Sequence, residues 1–240
     1  MTPTFTIAPL AQMQQKAFAV TENLKASELS IPKDLKHLSA QFKGQEVNMY
    51  SYAWETEIFK RIRITILLIP GRLETFNFVL YPQNHFDAPV FASDFVVSND
   101  KLRIGMIDWM PIFKEESDYI EEWIEPLAPL YETALEIAPQ YDRKLAWSTQ
   151  FTSRYACLAT GITSKELPPL VKLWKQYLDL YLAKTEDIQL IDFEREEDVA
   201  DWHYAYNQAH LKVENERNPY MVYFGDELGS RYNAEFLFVD

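Results

Sequence analysis

The chain has 240 residues, 48% hydrophobic and 15% aromatic, with 36 acidic against 23 basic side chains for a net charge of −13. That apolar content excludes a disordered chain, and the absence of a Gly/Ser-rich linker at this length reads as one domain over residues 1–240. The charge disfavours nucleic acid and anionic membranes as partners, and a lone Cys157 excludes an internal disulfide and fits a reducing cytoplasm.

The opening segment "MTPTFTIAPLAQMQQKAF" has neither the basic start and apolar run of a signal peptide nor the Arg/Ser-rich character of a transit peptide. No segment approaches the roughly 20 apolar residues needed to cross a bilayer, so the protein is expected to stay where it is made. A polar, helical opening gives way to "VNMYSYAWET", "KRIRITILLI", "TFNFVLYP", "VFASDFVVS" and "LRIGMIDWM". These strand-like runs are separated by "PGR", "PQNHFDAP" and "SNDK", which are too short for crossover helices and predict an antiparallel meander.

From Glu115 the apolar period lengthens to between three and four. Pro126 and Pro129 interrupt the helical pattern between Tyr119 and Ile137. In "LPPLVKLWKQYLDLYLAKTE" the residues Leu170, Leu173, Trp174, Tyr177, Leu178, Tyr181 and Leu182 form one helical stripe, with Pro168 and Pro169 at its start. A further helix is read in "DVADWHYAYNQAHLK". Strands followed by helices predict an α+β fold.

Side-chain alternation sorts the sheet into two faces. Ile62, Ile64, Ile66 and Leu68 share one face with Phe76, Phe78, Leu80, Phe91, Ser93 and Phe95. The other carries Arg61, Arg63, Thr65, Asn77, Val79, Tyr81, Ala92, Asp94 and Val96, a mixture that resembles a ligand pocket more than a core.

Other chemistries find little support. Six glycines build no G-x-G-x-x-G or G-x-x-x-x-G-K phosphate loop. His203 and His210 share a helix face but lack an evident third metal ligand, and Gly161 with Ser153 and Ser164 forms no nucleophile elbow. Asp94 stands apart, because a carboxylate among apolar strand residues must either pair with a cation or take up a proton near neutral pH. A salt bridge to a neighbouring arginine, a strand-edge hydrogen bond and a protonated acid are the readings left open.

The order Tyr81-Pro82, Phe86-Asp87-Ala88-Pro89 and Phe91-Ala92-Ser93-Asp94 resembles the central signature of the ferredoxin-dependent bilin reductases. "IDWMPI", Ile107 to Ile112, is similar to that family's D-x-x-P strand end, and "YFGDELGSRYNAEFLF" to its C-terminal signature, with Leu228 in place of the usual tryptophan. The resemblance implies a three-layer α/β/α sandwich with a central antiparallel sheet, and a biliverdin pocket between the sheet and the C-terminal helices. It also implies no metal or permanently bound organic cofactor, and single electrons from reduced ferredoxin. Asp94 matches the family's central proton donor. Asn77 stands where the phycocyanobilin-forming branch carries histidine and the phycoerythrobilin-forming branches commonly carry asparagine. Glu214 matches a second acidic position that serves the A-ring end, with Asn215 and Glu216 as alternatives.

The expected reaction is therefore four-electron reduction of biliverdin IXα to phycoerythrobilin through 15,16-dihydrobiliverdin. The alternatives are arrest at 15,16-dihydrobiliverdin, phycocyanobilin formation, and a bilin carrier without catalysis. Arg63, Thr65 and Arg154 are the candidate substrate contacts, the two arginines as forked partners for the propionates; a solvated charge is the alternative for each arginine. Ferredoxin would dock on a basic patch, for which Arg143, Lys144, Lys172 and Lys175 are candidates. A monomer is expected.

Overall fold

The structure, a computed structural model, describes residues 3–141, 149–217 and 219–238. Helix α1 (Ala8–Asn23) opens the chain, followed by β1 (Ser27–Glu28), a single turn α2 (Lys33–Lys36) and β2 (His37–Phe42). The expected meander follows as β3 (Gln45–Glu55), β4 (Phe59–Ile69), β5 (Leu73–Pro82), β6 (Val90–Ser98) and β7 (Lys101–Met110). Next come α3 (Ser117–Tyr119), α4 (Ala128–Ile137), β8 (Cys157–Ala159), α5 (Leu167–Thr185), α6 (Phe193–Arg217), α7 (Pro219–Phe224) and α8 (Asp226–Tyr232), and a π-helical turn over Asn233–Leu237 ends the described chain.

The eight strands form one antiparallel sheet in the order β1-β3-β4-β5-β6-β7-β8, with β2 paired to β3. The polar opening is thus helical only in part, because His37–Phe42 pairs with Gln45–Tyr50 as a hairpin. Its turn places Lys43 and Gly44 at φ 51° and 76°, the left-handed pair of a tight hairpin. Asn99 and Asp100, at φ 49° and 63°, do the same between β6 and β7.

The apolar face carries the main core. Ile62, Ile64, Ile66, Phe76, Phe78, Phe91 and Phe95 are all fully buried and pack with α1, α4 and α5. Helix α5 starts after a capping box in which Thr163 and Glu166 exchange bonds, and Pro168 sits where a missing N–H costs nothing. Trp174 lies edge-on to Phe76 and Phe78 at centroid distances of 6.0 and 6.2 Å and donates its Nε1–H to Ser93 Oγ at 3.0 Å. Tyr181 donates to Pro89 O at 2.6 Å, tying α5 to the start of β6.

On the mixed face the helices α6, α7 and α8 make the third layer, so the three-layer α/β/α sandwich is observed. Two smaller clusters form there: one joins Leu38, Val47, Met49 and Leu67 to Tyr232 and Phe236, the other joins Val79, Val90, Ala92 and Met110 to Phe151 and Tyr206. Pro126 and Pro129 fall where the expected interruption lies: the run passes from a π turn through a 3-10 turn containing Pro126 into α4, whose first turn holds Pro129. No helix among the described residues is long and apolar enough to cross a membrane. Trp174→Ala should cost about 3–5 kcal/mol of unfolding free energy, since it opens a cavity against two phenylalanines. Urea titration should show a lower midpoint at unchanged slope, and a loss under 1 kcal/mol would refute this packing.

Candidate active site

Pairing register lines up one row of side chains across the mixed face. Ser51 faces Thr65, Thr65 faces Asn77, Asn77 faces Asp94, and Asp94 faces Met106. Directly opposed residues in antiparallel strands put their Cβ atoms about 5 Å apart on one side of the sheet, so this row is a continuous polar stripe. Tyr232 of α8 covers its first half, its hydroxyl lying 3.0 Å from Ser51 Oγ and 3.2 Å from Thr65 Oγ1. Burial of that phenol pushes it up to about 12.

The second half is open. A cleft of about 470 Å³ lies over Asn77 and Asp94, within the range of small-molecule sites. Thr75, Val79, Ala92, Val96 and Met106 complete its floor, and its far wall comes from Tyr206 and His210 of α6, Tyr220 and Tyr223 of α7, and Leu237 and Phe238 of the C-terminal segment. His210 stacks on Phe238 at 4.8 Å with 19° between planes and lies 4.3 Å from the Tyr206 ring.

Of the expected site residues, Arg63, Asn77 and Asp94 come together in the cleft lining. The arginine reading for Asp94 meets a competing arrangement, because Arg63 gives its two Nη groups to Leu237 O and, at 3.2 Å, to Asn77 Oδ1. Thr65 is sealed beneath Tyr232 and does not line the cleft. Arg154 lines a separate surface groove with Lys114 and Glu115, and is paired with Glu125. Glu214, Asn215 and Glu216 fall on the last turns of α6, but their side chains lie outside the described residues. Arg143 and Lys144 also lie outside them, whereas Lys172 and Lys175 are on α5, across the sheet from the cleft.

Two groups acquire a place that their spacing did not show. His210, weighed only as a metal ligand, is a cleft wall residue reached because it follows Tyr206 by one helical turn. The other histidine, His203, is buried with Nδ1 3.0 Å from Asn84 Oδ1, and burial holds it well below the usual histidine range. The described residues contain no group of three or more metal-ligating side chains. Asp108, from the "IDWMPI" segment, is fully buried opposite Ala92 and accepts the Ser153 backbone N–H at 2.9 Å and the Ser153 hydroxyl at 2.5 Å. That clamp seats Phe151 and Thr152 in the cleft wall, assisted by Lys114 Nζ donating to Thr149 O and Thr152 O at 2.7 and 2.5 Å.

The C-terminal signature has a physical reason as well. Gly225 ends α7 and caps α8 at φ 89°, a left-handed conformation that favours glycine. A Cβ at Gly229 would stand 2.6 Å from Met221 N, so α7 and α8 cross too closely for a side chain there.

A family model described as ferredoxin-dependent bilin reductase matches residues 14–239. The chain belongs to this family. Its members are ferredoxin-dependent oxidoreductases, so this bilin reductase is an enzyme, and the carrier reading falls away. A 15,16-dihydrobiliverdin:ferredoxin oxidoreductase of Gloeobacter violaceus is 24% identical over 240 residues, covering 96% of this chain and 93% of its own. One from Nostoc punctiforme is 26% identical over 191 residues, covering 79% and 78%. A phycoerythrobilin:ferredoxin oxidoreductase of Gloeobacter violaceus is 29% identical over 113 residues, 47% of this chain and 46% of its own. The fold is that of tomato phytochromobilin synthase, solved in complex with biliverdin, with a TM-score of 0.79 at 17% identity, covering 95% of this chain and 82% of that one.

Burial pushes the Asp108 carboxyl up to about 6 against the opposing pull of the Ser153 bonds. Its folded value thus exceeds the ordinary value of 3.8, and the stability it supports is fully present below about pH 4 and lost as pH rises through about 6. The loss should be on the order of 2–3 kcal/mol. Urea unfolding across pH 4–7 should show this decline in the wild-type bilin reductase and a flatter profile in Asp108→Asn; parallel profiles would refute it.

Proposed function

We propose that this enzyme reduces biliverdin IXα across the C15=C16 bond to 15,16-dihydrobiliverdin. Two electrons arrive singly from reduced ferredoxin, and two protons add, one at each carbon. The observation that carries the reading is the direct opposition of Asn77 and Asp94 on the cleft floor. An aromatic-walled cleft over a floor of apolar side chains and a few polar ones suits a flat tetrapyrrole, and a carboxyl group in that floor lies within hydrogen-bond reach of a pigment stacked on it. Asp94 is the proton donor to the pyrrole system and the methine bridge as each electron creates a bilin radical. Asn77 orients the D-ring lactam but delivers no proton, because an amide is not an acid in this range. The relatives named as 15,16-dihydrobiliverdin:ferredoxin oxidoreductases support the same product.

The second reading is the four-electron route, in which a further two electrons and two protons reduce the A-ring end to phycoerythrobilin. Glu214 would be its donor, from the helix that also supplies Tyr206 and His210 to the cleft wall. The relative named for phycoerythrobilin favours it. The two-electron product ranks first because the two relatives cited for it match over 79% and 96% of this chain, against 47% for that one.

Anaerobic reaction of biliverdin IXα with reduced ferredoxin, with products separated against bilin standards, tests both. Accumulated 15,16-dihydrobiliverdin is the expected result. Phycoerythrobilin would install the second reading, and Glu214→Gln should then halt that enzyme at 15,16-dihydrobiliverdin. Phycocyanobilin would overturn both. Asp94→Asn should bind biliverdin within about threefold of wild type and lose at least about a hundredfold in turnover, the scale of a lost general acid. Wild-type turnover in that variant would remove Asp94 from the mechanism.

A further inference from the structure

We infer that Arg63 is a positioning residue that decides which end of the Asn77 amide faces the bound bilin, an inference that rests on the cleft being the bilin site. A guanidinium has only donors to offer. The Asn77 atom lying 3.2 Å from Arg63 Nη2 is therefore the carbonyl oxygen, on chemical grounds and not by choice of amide orientation. The NH2 group is correspondingly turned away from Arg63. Asn77 lines the cleft and stands opposite Asp94, so what it presents to a ligand and to that carboxyl group is a donor. A donor at this point selects the carbonyl of a pyrrolinone ring over its N–H. Without Arg63, nothing in that bond would stop the amide from turning and presenting the reverse pattern.

Arg63 is itself held from behind. Its other Nη group donates to Leu237 O, while the neighbouring Arg61 on the same strand face donates to Phe236 O at 2.7 Å. These are the last carbonyls of the C-terminal helical turn, which lack intrahelical partners and carry partial negative charge. The Phe238 ring lies 5.8 Å from the Arg63 guanidinium and stacks on His210. Arg63 is 8% exposed, and its Nε has no partner among the described residues. With both Nη groups engaged, the side chain joins the C-terminal segment to the amide; this accounts for it differently from the expected propionate clamp.

Two cycles on the full-length protein test this. Lysine at position 63 keeps the charge but cannot span both partners from one Nζ. Arg63→Lys should lower turnover of biliverdin about tenfold with KM changed less than threefold, the pattern of lost orientation. Asn77→Ala should do the same, and the double variant should be no slower than either. A tenfold rise in KM for Arg63→Lys, or losses that multiply, would make Arg63 a substrate ligand and overturn the inference. Arg61→Lys loosens the same C-terminal segment without touching Asn77, and should keep turnover within twofold; an equal loss there would assign the effect to the segment as a whole and overturn it too. The bond is tested without bilin by thermal unfolding of the free protein, where the Tm losses of Arg63→Lys and Asn77→Ala should be less than additive. Additive losses refute the link whether or not the enzyme reduces biliverdin, whereas a wild-type chain that fails to reduce biliverdin refutes the proposed function and leaves this cycle as judge. Should Arg63→Lys not fold, Asn77→Asp keeps an oxygen for Arg63 but offers only acceptors to the cleft. Turnover should fall at least tenfold at undiminished Tm, and wild-type turnover would overturn the inference.

Discussion

Everything on the functional side of this bilin reductase depends on one constraint: a stripe of hydrogen-bonding side chains crosses a sheet face that must also be covered. Ser51, Thr65, Asn77 and Asp94 sit in register on four successive strands. Polar groups can be buried only where partners satisfy them. Tyr232 supplies such a partner to Ser51 and Thr65, and there α8 packs down and the core closes. Over Asn77 and Asp94 the third layer stands off and leaves the cleft. The site is thus the part of a polar stripe that the fold does not seal.

The opposite face explains how the sheet tolerates this. Its aromatic and aliphatic side chains build the main core with α1, α4 and α5, and the Ser93 hydroxyl among them accepts the Trp174 indole N–H. One side of the sheet holds the fold together, and the other can keep groups that destabilise a core but serve a ligand. Asp108 shows the limit of that tolerance, since a carboxyl buried on the cleft face is held by two bonds from Ser153 with support from the Lys114 charge, and the Ser153 bonds place Phe151 and Thr152 in the wall. The cleft is also shaped from its far end, where Arg63 holds Leu237 beside Phe238, whose ring stacks on His210.

The five strands of the meander, the α5 stripe and the division of residues between faces were legible from alternation alone, because each depends on local period and on apolar content. His37–Phe42 and Cys157–Ala159 were not, being short and without strong alternation; they become strands because β3 and β7 offer them edges. Asn77 and Asp94 were legible as neighbours in chemistry but not in space, since a slip of one residue between β5 and β6 would have moved one of them to the other face. Thr65 shares their row yet leaves the site, because Tyr232, far along the chain, covers it.

By itself the sequence determined that an antiparallel sheet with one apolar and one mixed face would form, and that a carboxylate would lie in the mixed one. Period and residue type suffice for that, because they act within a strand. Only the tertiary structure decided which polar residues remain open to a ligand, which arginine is committed to the chain's own carbonyls, and that His210 faces the cleft. Those outcomes depend on the C-terminal helices meeting strands more than a hundred residues earlier, and no local pattern encodes where that second surface closes and where it stands away.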